Sequence, residues 1–103
     1  MKIPERDWKV FRRLQAIALE RFCQRVLDEC QATASDPSRS AHERYLEVFR
    51  LIQERDQELA DAFDNPRRST AFLTLTLIRS HGLLTEEEVA EFSPETEQTT
   101  RPG

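Results

Sequence analysis

Residues 71–78 read AFLTLTLI. Leu73, Leu75 and Leu77 alternate with Thr74 and Thr76, and alternation is the pattern of a strand. Threonine strengthens it, since its branched side chain favours strands over helices. Against this, no second run in the chain alternates in the same way. A lone strand would leave its backbone groups without partners. Phe72, Leu75 and Ile78 also repeat at three, as do Ala71, Thr74 and Leu77.

The following residues, RSHGLLTEEEV at 79–89, decide between the two. Gly82 fits the left-handed position that ends a helix, and Leu83 fits the apolar contact of that motif. Arg79 and His81 place positive charge at the negative end of the same helix. Thr85 and Glu88 then form a capping box, with Leu84 and Val89 as its hydrophobic staple. Glu86 and Glu87 add favourable charge to the new first turn. The spacing therefore predicts a third helix over about 66–80, apolar on most of its surface and buried centrally or at an interface. Thr74 and Thr76 can bond back to carbonyls one turn earlier. A short helix over about 86–92 follows, anchored by Val89 and Phe92 and ended at Ser93-Pro94.

Upstream, Asn65-Pro66 supplies a stop for one helix and a cap with pre-set φ for the next. The second helix spans about 41–63. Tyr45, Val48, Phe49, Ile52, Leu59 and Phe63 recur at helical spacing as its core face. Asp56 interrupts that stripe. It reads as a solvent edge, with an interface polar network as the alternative. Two starts compete: Asp36-Pro37, and the capping box of Ser40 with Glu43. We take a short turn at 37–39 and the main helix from 41. The first helix runs over about 5–33, beginning near Pro4. Val10, Leu14 and Ile17 form one apolar line; Trp8, Leu19, Phe22, Cys23, Val26 and Cys30 form another. A face this broad contacts more than one neighbour. The expectation is an all-α fold: a small bundle of three main helices with a short C-terminal helix. Residues 1–92 make one domain. SPETEQTTRPG, 93–103, has no apolar anchor and reads as a flexible acidic tail.

The bulk composition agrees. In 103 residues, 38% are hydrophobic and 33% charged, too apolar for disorder and too polar for a membrane protein. No run approaches the roughly 20 apolar residues of a membrane span. MKIPERDWK lacks the apolar core of a secretory signal, so a cytoplasmic location is the default. Cys23 and Cys30, if both lie on one helix, are about 10 Å apart along the axis. That exceeds the roughly 7 Å limit of a disulfide. They read as reduced, buried small hydrophobes.

Chemical constellations are sparse. His42 and His81 have neither a second histidine nor a carboxylate at ligand spacing, and no CxxC occurs, so no metal is expected. Gly82 and Gly103 are the only glycines, too few for a phosphate loop. Glu54, Glu58 and Asp61 share one side of the second helix, where like charges imply solvent or a basic partner. Ser35, Ser38 and Ser40 lie near His42 in a loop, a poor setting for an activated nucleophile. We expect no enzyme activity and no cofactor. A small enzyme or ligand carrier would have to use Cys23, Cys30, His42 and Asp56.

Lys9, Arg12, Arg13, Arg67 and Arg68 are the candidate phosphate contacts. The formal charge is −4 and the third helix is apolar, so a weak nucleic-acid-associated regulator is the alternative reading. The main expectation is a non-enzymatic protein–protein interaction module or small regulatory adaptor. It would pair as a homodimer through Trp8, Phe11, Leu14, Phe22 and Leu75, with the filling of the chain's own core by these residues as the alternative.

Overall fold

The computed structural model describes residues 2–103. Its order is α1 (Glu5–Ala34), α2 (Ala41–Phe63), a 3-10 turn (Arg68–Thr70), α3 (Ala71–Ser80), α4 (Glu86–Val89) and α5 (Pro94–Thr99). The fold is all-α, a small helical bundle with short C-terminal helices.

The capping chemistry settles residues 71–78 as helix. Gly82 has φ of 67°. Its N–H donates to Arg79 O at 3.0 Å, and Leu83 N–H donates to Ile78 O at 3.4 Å. These are the two bonds of a Schellman stop, and Leu83 and Ile78 are both buried beside it. Thr76 Oγ1 donates to Phe72 O at 2.8 Å, which is how a helix accommodates this threonine. Ser40 with Glu43, and Thr85 with Glu88, both form complete capping boxes. The third helix begins at 71 rather than 66. Asn65 takes φ of 56° to end the turn after α2, and Arg67 is extended. Arg68 then binds Ile3 O and pairs with Glu5, which fixes the strap before α3.

The core is confined to one end of the molecule. Phe11, Leu14, Ala18 and Phe22 of α1 pack with Phe63, Leu75, Ile78, Leu83 and Phe92. Between Phe22 and Ala62 no residue is fully buried. The shape reflects this, with extents of 51 × 25 × 24 Å and a radius of gyration of 16.4 Å. A compact chain of this length has about 13 Å. We call the packed end the head. The two-helix projection over residues 23–61 is the arm.

Two expectations are corrected in the head. Residues 93–103 are not an unanchored tail, because α5 is held by polar groups instead of apolar ones. Asp7 accepts from Ser93 N at 2.9 Å, Ser93 Oγ at 2.6 Å and Thr96 Oγ1 at 2.5 Å. Asp7, Thr96 and Thr100 are fully buried. Arg79 closes the clasp by donating to Glu97 O and Thr100 Oγ1. The second correction concerns the expected interface. Phe11, Leu14, Phe22 and Leu75 lie in the chain's own core, and half-buried Trp8 stacks on Phe11 at 5.6 Å between ring centroids. The C-terminal segment and α3 supply the cover that a second subunit was expected to give.

Candidate interaction surface

The arm exposes what the head hides. On α1, Cys23, Leu27, Cys30 and Ala34 recur at four and three. On α2, Tyr45, Phe49, Ile52, Asp56 and Leu59 do the same. Such spacing keeps each set on one side of its helix. The two sets wall a groove along the arm. Near the tip it has a volume of about 440 Å³, lined by Ala34, Tyr45, Val48, Phe49 and Ile52. Nearer the head it continues for about 310 Å³, between Cys23, Leu27 and Cys30 on one side and Ile52, Asp56 and Leu59 on the other. Ile52 lines both parts, so they are one surface.

The expectation that Tyr45, Val48, Phe49 and Ile52 face a core is corrected here. Their periodicity is helical, but no third helix reaches the arm. Tyr45 is 66% exposed, Phe49 54%, Ile52 50% and Leu27 62%. Cys23 and Cys30 are free thiols in the groove wall, half-buried rather than buried. Asp56 sits exposed at the groove edge.

Polar contacts hold the arm helices together and leave the groove open. Arg55 donates to both oxygens of Glu29 across the pair, at 3.3 and 3.0 Å, and to Glu58 at 3.1 Å. Its hydrogen bonds to Glu29 push the guanidinium pKa further up, against the opposing cost of burial. At the tip, Arg44 donates to Ala34 O at 2.5 Å and Arg39 O at 3.2 Å, closing the turn.

The perturbed carboxylates have structural duties. Glu88 is held at about 2, first by Arg21 and then by the Thr85 backbone of its capping box. Burial raises the Asp7 pKa, but the bonds from Ser93 and Thr96 outweigh it and the net direction is down. Asp36 and Glu43 are lowered by bonds to Ser38 and Ser40 at the turn and cap. Among the described residues, no group of three His, Cys, Asp or Glu side chains converges to hold a metal ion. His81 lies edge-on to Phe22 at 6.0 Å, and its carbonyl accepts from Arg25 at 2.6 Å.

Three of the five candidate phosphate contacts have partners within the chain. Arg13 pairs with Glu91, and Arg68 with Glu5. Arg12 lies over the Trp8 ring at 5.6 Å. Lys9 and Arg67 are exposed on separate elements. Among the described residues, no helix is long and apolar enough to cross a membrane. No family model, curated protein or solved structure matches the chain.

Proposed function

We propose that the protein is a non-enzymatic interaction module whose arm groove docks a helical protein surface. The observation that carries this reading is the exposure of Leu27, Tyr45, Phe49 and Ile52 along the groove, with Leu46 also exposed on α2. Aromatic side chains carry ~150–250 Å² each and large aliphatic ones somewhat less, so about half-exposure of these five leaves at most roughly 500 Å² of apolar surface. That is toward the upper end of the largest patch a monomer ordinarily shows, and such patches are often functional. A groove between two helices accepts a third helix by the same packing that builds bundles. The head supplies the rigid base that positions the arm.

A photocrosslinking residue placed at Phe49 tests the reading in the source cell. Protein adducts should form there and be rare from a control at exposed Gln98. Equal adducts from both positions would remove the groove from consideration. Titration with duplex and single-stranded DNA at two salt concentrations addresses the alternative. Tight, salt-sensitive binding would replace the interaction module with a nucleic-acid regulator.

A further inference from the structure

We infer that the arm groove is filled by a second copy of this chain, with the two α2 helices antiparallel about a twofold axis at Phe49. The inference rests on the docking reading above and names the occupant. A twofold interface must fit its own image, so each residue meets the one equally far from the axis in the other direction. His42 and Asp56 lie seven residues before and after Phe49, two turns of helix in each direction. All three are exposed on one face of α2. Antiparallel pairing sets each His42 level with the opposite copy's Asp56. It also sets Leu46 level with Ile52, and Phe49 against its own image. Leu46, Phe49 and Ile52 meet apolar groups, and the acid meets an imidazole that can donate to it. Parallel pairing would instead bring Asp56 against Asp56 and align the acidic stretches 54–64. The area is of the right order: at most roughly 500 Å² of apolar surface from each copy gives up to about 1,000 Å² in total, near the lower bound of a specific interface. The product is a four-helix bundle of two arms with a head at each end, in which Asp56 and His42 become a polar register pair.

Sedimentation of the full chain at micromolar concentration should give twice the 12.1 kDa monomer mass. Phe49→Glu places two carboxylates at the axis and should return the chain to a monomer. Its helical circular dichroism should stay at the parental level, since Phe49 is exposed within one copy. His42→Asp should weaken self-association at least ~10-fold, and the double variant His42→Asp with Asp56→His should restore it. Failure of the double variant to recover overturns the antiparallel register. A parental monomer overturns the second copy as occupant. If that monomer still forms adducts with another protein from position 49, the interaction module survives and only its partner was misassigned. If it forms none, both readings fall together.

Discussion

The head and the arm are built from the same two helices, yet they bury very different amounts of apolar surface. In the head, α1 is flanked by the end of α2, by α3 and by the C-terminal segment, and Phe11 and Leu14 are 1% exposed. In the arm, α1 and α2 have only each other, and Phe49 is 54% exposed. A helical stripe is a demand for cover, and two helices cannot meet it on every side. The difference teaches that amphipathic periodicity reports a face that wants a partner without saying whether the partner is in the same chain. The polar clasp makes the contrast sharper. Residues 93–100 are acidic and polar, but they are seated by Asp7; the apolar Tyr45 and Phe49 are not.

The contrast can be broken most forcefully in the core. Phe11→Ala should cost about 3–5 kcal/mol in urea unfolding, while Phe49→Ala in dilute solution should stay within ~0.5 kcal/mol. Equal losses would erase the distinction between the regions. Asp7→Ala leaves Ser93 and Thr96 without their acceptor and should cost about 2–3 kcal/mol, with hydrogen exchange rising first in α5. A variant with α5 still protected would show that the clasp does not hold it. Glu88→Gln removes the charged bond to Arg21 and should cost ~1–2 kcal/mol at neutral pH, discounted because Arg21 is partly exposed. Because folding lowers the Glu88 pKa to about 2, its contribution is complete above about 4.5 and is lost as pH falls through that window. The parent and the glutamine variant should therefore converge in stability toward pH 2; a constant gap would contradict the linkage. The smallest effect is Gly82→Ala. Nothing lies within 4 Å of an added Cβ, so only the left-handed backbone opposes it, at ~1 kcal/mol. Melting at the parental temperature would remove the main support for ending α3 there.

The helices were legible where ends carried their own chemistry. Gly82, Ser40 with Glu43 and Thr85 with Glu88 are local signals, and the backbone follows them. The alternation in AFLTLTLI yielded because a stop at Gly82 belongs to a helix. Ser93-Pro94 reads in the sequence only as an end to the preceding helix, although the backbone uses the pair as a cap followed by a first-turn proline. What sequence cannot show is which apolar line each neighbour takes. Phe11, Leu14, Phe22 and Leu75 have the same pattern whether they meet α3 or another chain, and only the tertiary arrangement assigns them to the core. Conversely, the stripe through Tyr45, Phe49 and Ile52 looked like core because its period is correct, and its exposure depends on how far α3 reaches. The seat of α5 depends on one buried acid, Asp7, which local sequence presents as an ordinary first-turn charge.

In the dimer proposed above, the arm is half of a bundle completed by its own copy. Hydrogen exchange followed by mass spectrometry across about a hundredfold dilution tests it most directly, because mass action couples arm protection to concentration. Amides of residues 41–56 should gain protection as concentration rises, while those of residues 8–22 stay constant. Arm protection that does not change with concentration would mean that no second copy covers the arm.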